Sequence, residues 1–121
     1  MQPKHFNYIR SFRRSACLSQ KELAWLTGAK VHTGISRFET FQTMPDVRTA
    51  FEIAFVFGVP LETVYPKIVE DAEDEVARRA YHMLQLLEAA DETVDVLRKR
   101  EVLSRIPRRG GQPNTYPTHD S

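Results

Sequence analysis

An all-α fold is predicted for this 121-residue chain, and three features of the sequence carry the prediction. Apolar residues recur at three- and four-residue spacing, as across 47–57 and 69–97. Capping residues flank these runs: Ser19 and Asp46 ahead, Gly28 and Gly58 behind. Pro60 and Pro66 punctuate the middle, where proline suits a helix start or a stop.

The first helix is expected over residues 5–16, with Phe6, Ile9, Phe12 and Arg13 facing inward. Arg10, Arg13 and Arg14 make it basic. The next stretch, LSQKELAWLTGAKVHTGISRFE (18–39), organises the chain. It reads as two short helices joined by a tight turn. Leu18, Leu23, Ala24, Leu26, Ile35 and Phe38 supply its apolar positions. Ser19 with Glu22 three residues later forms a capping box. Gly28 closes the first of these helices at residue 27 or so. Trp25 falls among polar positions and is read either as exposed or as packed on the turn. The following helix is expected to start between 31 and 33 and to end near 41. Gly34 costs about 1 kcal/mol inside a helix; it marks either a close backbone approach or a late start, and the late start is preferred. Cys17 is expected to pack.

Residues 40–45 form a loop. Asp46 then caps a fourth helix in which Val47, Ala50, Phe51, Ile53, Ala54 and Phe57 make most of the surface apolar, so that helix is expected to be largely buried. Gly58 ends it. Pro60 begins a short helix over 61–65, and Pro66 stops that. Beyond residue 67, the acids of EDAEDE (70–75) suit the first turns of a long helix. Val69, Val76, Met83, Ala90 and Leu97 recur every seven residues, a seam suited to another helix. One continuous helix is one reading. The preferred one runs to about residue 89, breaks at AlaAspGluThr (90–93), with Asp91 as cap, and begins a second helix that runs from about residue 93 to 105. The tail, 107–121, is rich in Gly, Pro and polar residues and is expected to be disordered.

The ordered set LSQ-x-ELA-x-L-x-G…ISR-aromatic-E, followed by Pro45 and FEIAFVFGVPLETVY, resembles the Cro/XRE-type helix-turn-helix regulator family. The resemblance covers residues 6–65. It implies a five-helix lambda-repressor-like DNA-binding domain over 1–66, with a helical dimerisation or interaction extension over 67–106. The turn between Gly28 and Ile35 is one residue longer than the family's. By resemblance, Arg13 pairs with Glu39, and Gln20 approaches the DNA backbone. A carboxylate in that setting needs a partner, and arginine is the best one.

The family's third helix enters the major groove. Candidate DNA contacts are therefore Gln20, Lys21, Lys30, His32, Thr33, Ser36 and Arg37, joined by Gln42 and Thr43 in the loop. Lys and Arg donate to guanine O6 and N7, and Thr reaches a thymine methyl. Arg10, Arg14 and Arg48 are further candidates for phosphate.

Charge supports this division. Residues 1–48 hold eight Lys/Arg against three Asp/Glu, residues 49–97 three against eleven, and residues 98–121 six against two. A basic head on an acidic middle points a polyanion at the head. No apolar run approaches the roughly 20 residues of a membrane span, and the N-terminus lacks the apolar core of a signal peptide. The single cysteine, Cys17, fits a reducing cytoplasm. His5, His32, His82 and His119 are scattered, and no Ser/His/Asp, zinc or phosphate-loop spacing occurs, so neither an enzyme nor a cofactor is expected. The expectation is a sequence-specific double-stranded DNA-binding regulator, homodimeric through its C-terminal helices. The alternative is an antitoxin-like module whose C-terminal helices grip a protein partner.

Overall fold

The computed structural model describes residues 2–28, 32–108 and 112–113. The fold is all-α but for a two-residue pairing near the C-terminus. Seven helices are seen among the described residues: α1 Ile9–Ser15, α2 Gln20–Leu26, α3 His32–Glu39, α4 Val47–Phe57, α5 Leu61–Val64, α6 Pro66–Glu88 and α7 Val94–Ser104. Two strands, β1 Pro107–Arg108 and β2 Gln112–Pro113, pair antiparallel. The rest of the tail lies outside the described residues. The chain divides into two compact units, Met1–Val69 and Glu70–Ser121. No helix is long and apolar enough to cross a membrane.

In the first unit, α2 packs along α3, and α1 packs on both α3 and α4. Ile9, Leu23, Ala24, Ile35, Ile53, Ala54, Val64 and Tyr65 form its core. Phe12 and Phe57 stack at the rim with ring centroids 5.5 Å apart. The hydroxyl of Tyr65 is buried without a hydrogen-bond partner among the described residues.

The helix α1 is four residues shorter at its start than the sequence suggests. Its would-be first turn is bonded elsewhere. Asn7 Oδ1 accepts the Ile9 N–H at 2.9 Å, and the Tyr8 N–H donates to the Val64 carbonyl at 3.0 Å. Such side-chain bonds compete directly with a helical turn.

At its end the chain turns through Cys17 at φ 58°. There the Leu18 N–H reaches the Arg13 carbonyl and the Cys17 N–H the Arg14 carbonyl, at 3.1 and 3.0 Å. This is a Schellman turn, whose left-handed residue is usually glycine. Cys17 is exposed, which corrects the expectation that it packs. The end of α3 repeats the motif with Phe41 at φ 66°. The Gln42 and Phe41 N–H groups bond the Arg37 and Phe38 carbonyls at 2.9 and 3.1 Å. That turn ends α3 at Glu39, earlier than expected.

The capping box on α2 is present: Ser19 Oγ accepts the Glu22 N–H at 3.0 Å, and Glu22 Oε1 accepts the Ser19 N–H at 2.8 Å. Gly28, at φ 68°, follows the helix. Asp46 caps α4 through the Thr49 N–H at 2.8 Å, and Gly58 closes it at φ 67°. Those Thr49 hydrogen bonds hold the Asp46 carboxyl below its ordinary range. The α4 surface departs from expectation, because Val47, Phe51 and Phe55 stand 88%, 63% and 75% exposed. Pro66 does more than stop α5. It is the first residue of α6, where its missing N–H has no intrahelical partner to lose.

In the second unit the preferred two-helix reading is the one observed. Thr93, rather than Asp91, caps α7, its Oγ1 accepting the Val96 N–H at 3.2 Å. Arg100 closes the turn between α6 and α7 by donating to the Leu87 carbonyl at 2.8 Å and to Glu92 at 3.0 Å. Ala77, Ala80, Leu84 and Val96 are the buried residues here. The heptad seam mostly faces outward: Val76, Met83 and Leu97 are about half exposed.

Candidate nucleic-acid interface

The candidate site is built on α3, and what fixes α3 is a buried carboxylate at its C-terminal end. Glu39 has a fully buried side chain. Arg13 donates to both of its oxygens, Nε to Oε2 and Nη2 to Oε1, the latter at 3.1 Å. Gln20 Nε2 reaches Oε1 at 3.0 Å and Arg10 Nε reaches it at 3.3 Å. Arg13 Nη1 continues to the Leu18 carbonyl at 2.9 Å. Three segments, α1, the start of α2 and the end of α3, thus converge on one carboxylate.

Burial pushes the Glu39 carboxyl up. The Arg13 and Gln20 hydrogen bonds, the Arg13 charge and the Arg10 hydrogen bond outweigh it and hold the group below its ordinary range. The Glu39 hydrogen bond, against some burial, holds the Arg13 guanidinium above its own. Glu39 is therefore ionised at neutral pH, and the network is charge-assisted throughout.

A second anchor grips the same helix end. The Asn7 side chain, itself buried, donates to the Phe38 carbonyl at 2.8 Å. With α3 held at this end and along its Ile35 side, its opposite face is left outward. Ser36 is half-buried and Arg37 exposed on that face, and helical spacing aligns Ser36, Arg37 and Thr40. Thr40 bonds back to the Ser36 carbonyl at 2.9 Å, and Gln42 Nε2 donates to Thr40 Oγ1 at 2.8 Å. A Cβ built on Gly34 meets nothing within 4 Å. Gly34 lies inside the first turn of α3 rather than ahead of it, which corrects the late-start reading.

The candidate residues divide into groups. Lys21, Arg37, Gln42 and Thr43 are exposed. Neither the Lys21 nor the Arg37 cation meets a carboxylate among the described residues. Gln20 is half-buried, with its amide NH₂ committed to Glu39. Lys30 and the side chains of His32 and Thr33 lie outside the described residues. Two other cations are less available than the sequence implied: Arg10 is drawn toward Glu39, and Arg48 pairs with Glu52 at 3.3 Å. Arg14 is exposed. Trp25, 81% exposed, does not pack.

Sequence reasoning found the Arg13–Glu39 pair but missed Asn7, and it aimed Gln20 outward alone. An Asn two residues ahead of a helix is the signal that could have found Asn7. No group of three or more His, Cys, Asp or Glu side chains that could hold a metal ion occurs among the described residues. No protein-family model, curated protein or solved structure matches the chain.

Proposed function

We propose that this chain is a sequence-specific double-stranded DNA-binding regulator of the Cro/XRE type. In this reading the first five helices form a lambda-repressor-like domain and α3 lies in the major groove. The observation that carries it is the pairing of a rigidly clamped α3 with an outward face of Arg37, Ser36 and the open Gly34. In that placement the exposed Arg37 would donate bidentately to a guanine edge. Lys21, Arg14 and Lys30 supply salt-dependent affinity for phosphate. Gln42 and Thr43 donate to the backbone from the loop. Clamping matters because a base contact discriminates only if the side chain is held in register by its scaffold.

Two copies joined through the C-terminal helices would place two α3 helices in successive major grooves, about 34 Å apart. Repression by occluding polymerase in the cytoplasm is the simplest outcome. A second reading is favoured by the outward Val76, Met83, Leu86, Val94 and Leu97: an antitoxin-like module that grips a protein partner through α6 and α7. Selection of bound sequences from a random duplex pool, followed by weighing the complex, separates the two. Enrichment of an inverted repeat bound by two copies supports the regulator. No enrichment, with binding that vanishes in salt, removes it.

A further inference from the structure

The clamp on Glu39 holds one cation more than it needs. Arg10 and Arg13 both reach a single buried carboxylate, so one positive charge is left over where α1, α2 and α3 meet. The surplus lies on Arg10. Its Nε is the third donor on Oε1, after Gln20 at 3.0 Å and Arg13 at 3.1 Å, and at 3.3 Å it is the most distant. A carboxylate oxygen has about two lone-pair sites, so a third donor is held loosely. Of the groups that keep Glu39 ionised, Arg10 contributes least. Its side chain is 47% exposed where that of Arg13 is 11%, and its two Nη groups meet no partner among the described residues.

Nothing nearby in sequence cancels this charge. Residues 1–21 hold five Lys/Arg and no Asp/Glu. The first acid, Glu22, gives its carboxylate to the Ser19 N–H at 2.8 Å. One turn beyond Arg10 on α1 stands Arg14, also exposed, and like charges at that spacing repel. An anion placed here relieves that repulsion.

We propose that Arg10 is a ligand for the DNA backbone: it keeps Nε on Glu39 and gives its two Nη groups to one phosphate of a bound duplex. The guanidinium fork allows this, because it presents five donors in a fixed plane and phosphate accepts two of them at once. The Glu39 bond that draws Arg10 inward is what sets it apart from Arg14 and Lys21. It holds the side chain before DNA arrives, so less rotamer freedom is lost on binding. Gln20 shares the same carboxylate oxygen, which sets Arg10 beside the start of α2. That helix start already has an anion of its own in Glu22, so the attraction for phosphate comes from Arg10. The contact carries no base information; it fixes the register in which α3 meets the bases. It rests on the reading of the chain as a DNA-binding regulator.

The test compares the unaltered chain with Arg10→Gln. Affinity for the selected duplex and for a scrambled one is titrated from about 50 to about 200 mM salt. The selected duplex is also made with one neutral methylphosphonate at each backbone position in turn. Urea unfolding of Arg10→Gln and Arg13→Gln runs alongside. Arg10→Gln is expected to weaken both duplexes alike and to make the fall of log affinity with log salt shallower by about 0.9 per bound copy. Its urea midpoint stays close to that of the unaltered chain, whereas Arg13→Gln lowers it. One methylphosphonate position costs the unaltered chain affinity and costs Arg10→Gln none. An unchanged salt slope, or methylphosphonate costs that match at every position, overturns the proposal and leaves the DNA reading standing. So does a midpoint lowered as far as by Arg13→Gln, which makes Arg10 part of the clamp alone. Failure of the unaltered chain to bind either duplex removes the DNA reading and this contact with it.

Discussion

Replacing Glu39 by alanine should be among the most damaging single changes available in the first unit. Its side chain is fully buried, and both carboxylate oxygens are occupied, by two nitrogens of Arg13, by Arg10 and by Gln20. The change leaves the Arg13 guanidinium, only 11% exposed, with one partner at the Leu18 carbonyl. Losing one member of a buried ion pair costs about 3–5 kcal/mol, against a total stability of about 5–15 kcal/mol for a small domain. Urea unfolding followed by circular dichroism measures this. The double variant Arg13→Ala/Glu39→Ala should be less damaged than the sum of the singles by about 1–3 kcal/mol, because neither charge is then stranded. Protonation acts on the same group. Its folded-state pKa is depressed, so the network's contribution is complete above the ordinary glutamate value of about 4.3 and is lost as pH falls through the folded value. Glu39→Gln should remove that part of the acid sensitivity. A Glu39→Ala cost below about 1 kcal/mol, or singles that add within about 0.5 kcal/mol, would refute the reasoning.

Three other outcomes are expected. Cys17→Gly should raise stability: a non-glycine residue at φ 58° carries about 1–2 kcal/mol of left-handed strain, offset by about 0.4–1 kcal/mol of added unfolded-state freedom, and urea titration reads the difference. Gly34→Ala should stabilise α3 by about 1 kcal/mol, since its Cβ meets nothing, and should weaken DNA binding in a gel-shift titration if the α3 backbone approaches DNA there. Tyr65→Phe should leave the first unit as stable or more so in thermal unfolding, because it removes a buried hydroxyl that has no partner among the described residues.

What the sequence revealed best were features written in local chemistry. The Ser19–Glu22 capping box, the Asp46 cap and the two left-handed glycines Gly28 and Gly58 each need particular residues at particular spacings, and each stands as read. The break between α6 and α7 was legible for the same reason, although Thr93 rather than Asp91 supplies the cap, accepting the Val96 N–H. The Arg13–Glu39 pair followed from resemblance and from the need of a carboxylate for a partner.

Features set by tertiary context were hidden. The start of α1 is decided by Asn7 and by the Val64 carbonyl, the latter distant in sequence. The Schellman turns at Cys17 and Phe41 carry no glycine, so nothing local announces them. On α4, apolar residues occupy both the Ala50–Ile53–Ala54 side and the Val47–Phe51–Phe55 side. Periodicity alone could not say which side meets the core.

The most direct measurement is the ratio of affinities of the chain for its selected duplex and for a scrambled one at physiological salt, with Arg37→Ala alongside. The account predicts a ratio of about 10³ or more, reduced by about 1–3 kcal/mol of discrimination when Arg37 is lost while thermal unfolding is unchanged. Equal affinity for the two duplexes, or a ratio that Arg37→Ala leaves intact, would contradict the placement of α3 as the reading helix.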